Sequence, residues 1–133
     1  MQLSVDLPAQ SYPVFIEPGG IGGLGQAIVG VLGPVDRVVI VSDSTVWPLV
    51  GEACEASLTA AGVSSAQCII GCGEAEKSIA TWSRVLEEVL DLGVDRSTPI
   101  VAVGGGLVGD LAGFVAATAM RGIPFIQVPT TLL

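Results

Sequence analysis

The sequence predicts an α/β fold: a Rossmann-like, largely parallel sheet flanked by helices and preceded by a β-hairpin. Three observations carry this. Short apolar runs, RVVIV at 37–41, QCII at 67–70, IVAV at 100–103 and FIQVP at 125–129, alternate with segments of helical period. That alternation implies parallel strands joined by helices on both faces. Glycines at 33, 62 and 93 fall where each helical run should stop. Half of the 133 residues are hydrophobic and only 14% are charged, enough for one well-filled core and too apolar for disorder. One domain over residues 1–133 is expected, without a repeat, linker or low-complexity tract.

Each element has its own local reason. LSVDL and YPVFI are short extended runs, and the 8–11 stretch between them suggests a hairpin turn. Ile21, Leu24, Ile28 and Leu32 recur at helical spacing, and Gly33-Pro34 ends that run. RVVIV is a continuous apolar run, as in a strand buried on both faces. A helix is expected from about Trp47, with Pro48 tolerated in its first turn. Its inward face is expected to be Leu49, Val50, Ala53, Ser57 and Ala60. The next helix should turn Ile79, Trp82, Leu86, Val89 and Leu90 inward and Glu87 and Glu88 outward. The last helix follows the three glycines 104–106, and Arg121-Gly122-Ile123-Pro124 reads as its stop.

Composition excludes several functions. Thirteen acids against five bases give a formal net charge of −8, so no basic patch for nucleic acid can be assembled. The sequence has no histidine, which removes His-based acid–base catalysis and His-ligated metal from these residues. Cys54, Cys68 and Cys72 are odd in number and contain no CxxC, as expected of reduced thiols in the cytoplasm. The segment 100–120 is long enough to span a bilayer, with small residues at 105, 109 and 113. Asp110 at its middle would cost about 3 kcal/mol there, and IVAV has strand character, so no membrane segment is expected.

In such sheets ligands bind beyond the carboxyl ends of the strands, and three loops qualify. Asp43, after RVVIV, suits either a ribose contact or a helix cap, and the cap is the simpler reading. In the loop 71–78, Gly73 permits a tight turn, Glu74 suits a ribose and Lys77 a phosphate. Acids there also suit a first helical turn, whereas Lys77 opposes the helix dipole. Gly104, Gly106 and Gly109 satisfy G-x-G-x-x-G between a strand and a helix. The acid expected about twenty residues later is missing, because that region reads Val128-Pro129-Thr130-Thr131, so a standard Rossmann site is a poor match. A glycine corner used only for packing is the alternative. Asp110 reads as a first-turn acid, or as a carboxylate aimed at hydroxyls or a nicotinamide ring. Spacing alone gives Arg121 only the helix-stop role.

Together GEAEKS and VAVGGGLVGDLAGFVAATAMRGIPFIQVPTTLL resemble the N-terminal half of 3-dehydroquinate synthase, a member of the sugar phosphate cyclases. YPVFIEPG and VSDSTV match weaker family features. The resemblance implies a lyase of the shikimate pathway and aromatic amino acid biosynthesis. It uses NAD as a recycled oxidant to turn 3-deoxy-D-arabino-heptulosonate 7-phosphate into 3-dehydroquinate and phosphate. A divalent metal, zinc or cobalt, polarises the hydroxyl that is oxidised.

Carried over, the resemblance puts Asp43 near the adenosine end of NAD. Cys72, Gly73, Glu74, Ala75, Glu76 and Lys77 form a cofactor loop, with Glu74 and Lys77 the leading side chains. Gly106, Leu107, Val108, Gly109 and Asp110 surround the pyrophosphate and nicotinamide, and Thr130 and Thr131 add contacts. Arg121 reaches the substrate phosphate of a neighbouring subunit, which presumes a homodimer. Cys72, Thr45 and Glu17 depart from common family residues. The family continues after PTTLL into a helical domain whose glutamate and two histidines bind the metal. The sequence is therefore expected to be a cytoplasmic cofactor domain with neither a complete catalytic set nor a metal site, inactive alone. The alternatives are another sugar phosphate cyclase of secondary metabolism, or a non-catalytic α/β module. A glycerol dehydrogenase matches GGGLVGDLAGF less well.

Overall fold

In the computed structural model, residues 1–132 are described. A two-stranded antiparallel hairpin, β1 (Gln2–Val5) and β2 (Tyr12–Phe15), pairs Gln2 with Phe15 and Val5 with Tyr12. A 3-10 turn at Gly20–Gly23 leads into α1 (Leu24–Leu32). Then strands and helices alternate: β3 (Arg37–Asp43), α2 (Trp47–Ala60), β4 (Ser64–Ile70), α3 (Ile79–Asp91), β5 (Ile100–Gly104), α4 (Gly106–Thr118) and β6 (Phe125–Pro129). The strand order is β4-β3-β5-β6 and all three pairings are parallel.

Right-handed crossovers then decide which face each helix covers. The step β3 to β4 runs one way across the sheet, whereas β4 to β5 and β5 to β6 run the other way. Helices α3 and α4 accordingly share one face, packing Val85, Val89, Leu111, Ala112 and Val115 on Val39, Val41, Cys68, Ile70, Ile100 and Ala102. Helices α1 and α2 take the opposite face, with Leu24, Ile28, Cys54 and Leu58 on Val38, Ile40, Val101 and Val103. Strand β5 is buried at every residue, as the unbroken apolar run predicts. QCII proves to be the end of a longer strand that begins at Ser64.

Two helix faces differ from the sequence expectation. In α2 the buried residues are Gly51, Cys54, Ser57 and Leu58, while Leu49, Ala53 and Ala60 are exposed. Small residues carry this contact because α1 crosses closely. A Cβ on Gly25 would collide with the Ser57 carbonyl and lie 2.8 Å from the Ala61 Cβ. Ser57 Oγ accepts from Gly25 N (3.0 Å) and donates to the Gly22 carbonyl (2.9 Å). In α3 the buried line is Thr81, Val85 and Val89, and Ile79 and Leu90 stay exposed.

The glycine stripe of α4 also finds its use. A Cβ on Gly113 would touch the Phe125 ring at 3.5 Å, and one on Gly109 would collide with the Gln127 amide. The bare stripe therefore lets alternate β6 side chains lie across the helix. Among the described residues no helix is long and apolar enough to cross a membrane.

Candidate functional site

The sheet reverses its winding between β3 and β5, so their carboxyl ends bound a crevice. Asp43 ends β3 and Gly104 ends β5, and the loop 71–78 follows the neighbouring strand β4. Thr130 donates its N–H to the Gly104 carbonyl (2.9 Å), and Thr131 side-chain atoms come within 3.4 Å of where a Gly105 Cβ would be. Parallel strand order thus gathers Asp43, residues 72–77, residues 106–110 and Thr130-Thr131 at one edge.

The three helices starting at this edge differ at their N-termini. Asp43 Oδ1 accepts from Thr45 N and Val46 N, both at 2.8 Å, just before α2. Asp43 thus closes the turn that leads into α2, while α2 itself, with Val46 at its cap, has no side-chain cap, and Asp43 Oδ2 faces no assigned donor among the described residues. Ser78 caps α3, its hydroxyl accepting from Thr81 N at 3.1 Å. Helix α4 has glycine at its cap, Gly105, and no side chain caps it. Its first-turn amides are thus open to an anion. Gly104 must lack a side chain here, because a Cβ would lie 2.8 Å from the Val108 Cβ.

The residues of the loop 72–77 divide by geometry. Cys72, Glu74, Ala75 and Lys77 are exposed, and Gly73 has φ +99°, a conformation suited to glycine. Glu74 and Glu76 form a short 3-10 turn ahead of α3 rather than its first turn. Glu76 folds back beneath the loop, where its Oε2 accepts from Thr81 Oγ1 (3.3 Å). The Val108 side chain is buried and Leu107 packs against the core, so Val108 offers only its backbone to the crevice.

Asp110 is the fifth residue of α4, beyond the first turn expected for it. It accepts a hydrogen bond from Lys77 Nζ at 2.7 Å, an ion pair between half-exposed side chains. This hydrogen bond, and then the Asp110 charge, hold the Lys77 amine above its ordinary pKa. Asp110 offsets the dipole penalty that the sequence position of Lys77, next to the start of α3, suggested. The pair closes one end of a cleft of about 240 Å³ lined by Ile79, Trp82, Leu111 and Phe114. The Trp82 and Phe114 rings stack with centroids 5.2 Å apart. One site thus offers donors for a diphosphate, a cation–carboxylate pair and an aromatic wall. Sequence reasoning missed Trp82 and Phe114 as candidate site residues: Trp82 reads as an inward helix residue, and nothing in the sequence singles out Phe114.

Arg121 is not gathered with the others. It follows α4 and precedes β6, at the amino edge of the sheet. Met120 (φ +50°) and Arg121 (φ +65°) are the non-glycine residues with positive φ among those described, each costing about 1–2 kcal/mol of backbone strain.

A family model described as 3-dehydroquinate synthase N-terminal matches residues 67–133, just over half of the chain. The chain belongs to the 3-dehydroquinate synthase family. A 3-dehydroquinate synthase of Pelotomaculum thermopropionicum is 48% identical over 132 residues, covering 98% of this chain and 35% of the relative. The chain thus spans about a third of that relative's length. A crystal structure of 2-deoxy-scyllo-inosose synthase complexed with carbaglucose-6-phosphate, NAD+ and Co2+ superposes with a TM-score of 0.87 at 27% identity. The match covers 98% of this chain and 35% of that one. The 2-epi-5-epi-valiolone synthase of Streptomyces hygroscopicus, with NAD+ and Zn2+ bound, is 36% identical with a TM-score of 0.68, over 73% of this chain and 27% of that one. The fold expected of the family, a parallel sheet with an N-terminal hairpin, is the fold found.

Proposed function

We propose that these residues form the NAD-binding part of a 3-dehydroquinate synthase, acting on 3-deoxy-D-arabino-heptulosonate 7-phosphate. The observation that carries this is the uncapped glycine start of α4, set at the winding reversal of the sheet beside the Lys77–Asp110 pair. The residues fit NAD. The α4 amides of Gly106, Leu107 and Val108 suit its pyrophosphate, and Gly104 and Gly105 let the backbone approach closely. Asp43 Oδ2 suits a ribose hydroxyl, Glu74 is exposed for another, and Thr130 and Thr131 border the same corner. Lys77 screens phosphate charge, and Asp110 orients the nicotinamide and the substrate hydroxyl next to it. When bound, NAD would take a hydride from the ring carbon that bears a hydroxyl, whose proton leaves separately, and would later return it, which makes phosphate elimination feasible.

The divalent metal of the family does not fit these residues. Among those described no three His, Cys, Asp or Glu side chains are grouped to hold a metal ion. These 133 residues by themselves are accordingly expected to bind NAD weakly and to release no phosphate from the heptulosonate phosphate. Arg121 is proposed to contact the substrate phosphate of a neighbouring subunit in a cytoplasmic homodimer, since it lies away from its own site. A second reading, another sugar phosphate cyclase, is favoured by the 0.87 superposition on the inosose synthase.

Calorimetric titration with NAD tests the site. Wild type should bind, and K77A and D110N should each weaken binding. No heat at millimolar NAD would leave the glycine corner as packing alone. In a full-length enzyme carrying these residues, turnover of heptulosonate phosphate against glucose 6-phosphate separates the two cyclase readings.

A further inference from the structure

We infer that Arg96 is a positioning residue: it clamps the strained Met120-Arg121 turn so that the Arg121 guanidinium projects from the amino edge of the domain. This rests on the reading of Arg121 as an anion contact.

Of the five bases, four have an assigned partner among the described residues. Arg37 donates to the Leu92 carbonyl (2.8 Å) and to that of Gly93, Lys77 to Asp110, and Arg84 to Glu88 (2.6 Å). Arg96 donates from Nε to the Met120 carbonyl at 3.2 Å. No partner is assigned to Arg121, which is exposed. The turn that carries it is costly, because two consecutive side-chain-bearing residues sit in the left-handed region. Such strain persists only where its surroundings over-determine it.

Around this turn the fixings are specific. Gly122 N donates to the Ala119 carbonyl (2.8 Å) and Ile123 N to that of Ala116 (2.9 Å), which hold the two ends. The Met120 carbonyl, between them, is held by Arg96. Arg96 is itself presented by a rigid loop. Asp95 Oδ1 accepts from Ser97 N (2.8 Å), Ser97 Oγ (2.6 Å) and Thr98 Oγ1 (3.2 Å), and Val94 and Thr98 are buried on either side. The α3–β5 connection therefore reaches across to set the backbone of the α4–β6 connection.

The test uses this chain and its R96A variant. Cα and Cβ chemical shifts report whether Met120 and Arg121 keep the left-handed conformation. Trypsin cleavage after Arg121 reports opening of the turn. R96A should lose the left-handed shifts and be cut after Arg121 about tenfold faster, the loss expected for one charge-assisted hydrogen bond. Cleavage after Arg84 should not change. R96K, which keeps a donor, should restore much of the protection. Unaltered shifts and cleavage in R96A overturn the inference. If R96A does not fold, M120G decides, because glycine tolerates the left-handed region without a clamp. R96A/M120G should then fold and hold the turn, and failure to do so also overturns the inference. Titration with inorganic phosphate separates the two claims. A wild-type Arg121 side-chain signal that ignores phosphate, with the turn lost in R96A, sinks the anion reading and leaves the clamp.

Discussion

Replacing Gly104 by alanine tests whether close contact between β5 and α4 builds the anion corner. The added Cβ would lie 2.8 Å from the Val108 Cβ and 2.6 Å from its Cγ2, where ordinary contacts begin at 3.4 Å. Rotating Val108 gives no escape, since a β-branched side chain in a helix has one strongly preferred rotamer and its Cβ does not move with rotation. Val108 is 1% exposed, so the core cannot yield outward. The start of α4 must shift by roughly 1 Å, and overpacking of this kind costs about 1–3 kcal/mol. At about 2.1 cal/mol/K per residue, 133 residues unfold with an entropy near 0.28 kcal/mol/K, so Tm should fall by roughly 4–11 °C. The same shift moves the first-turn amides, and NAD affinity should fall with it. Thermal denaturation of G104A, V108A and the double variant isolates the cause. V108A alone should cost about 1.5–3 kcal/mol of lost burial. It also removes the γ-methyl contacts, so the double variant should be less destabilised than the sum by about 1 kcal/mol. Additivity within about 0.5 kcal/mol would refute the steric argument.

Four further outcomes are expected. G25A should destabilise by about 2 kcal/mol through collision with the Ser57 carbonyl, whereas G30A in the same helix, with open space around it, should stabilise by about 0.5–1 kcal/mol; paired melts check the contrast. In native protein a thiol reagent should modify Cys72 alone, since Cys54 and Cys68 are buried and burial, then the Glu88 charge, push the Cys68 thiol up to about 11. Neutral Cys68 favours the folded state, so that contribution is complete below pH 9 and lost as pH rises towards 11; C68A should flatten this alkaline limb of the Tm profile. Hydrogen bonds from Ser97 and Thr98 hold the Asp95 carboxyl below its ordinary value. Its contribution is therefore present above the usual aspartate range and lost as pH falls through the lowered value, so wild type and D95N should converge in Tm on acidification.

Much of the site was legible because parallel strand order is itself legible. Once RVVIV, QCII, IVAV and FIQVP are read as strands joined by helices, their following loops must share an edge. Asp43, Lys77, the glycines and the two threonines then meet without further information. The start of α4 is equally local, since a strand running into three glycines admits few alternatives.

What composition and period could not give were contacts between helices. Leu49 looks inward and is exposed, while Gly51 and Ser57 carry the crossing, because backbone proximity rewards small side chains that a hydrophobic pattern overlooks. Lys77 looks misplaced at a helix start until Asp110, 33 residues later, is found 2.7 Å away. Trp82 reads as an inward residue and does pack on the core, yet it also lines a cleft with Phe114. By itself the sequence determined the order of elements, the loops at the carboxyl edge of the sheet and the family motif, because these follow from local periodicity and turn chemistry. Only the tertiary structure decided which charges pair, which glycines are steric necessities and that Arg121 stands on a strained turn at the far edge. Those depend on distances between segments remote in the chain, which packing alone sets.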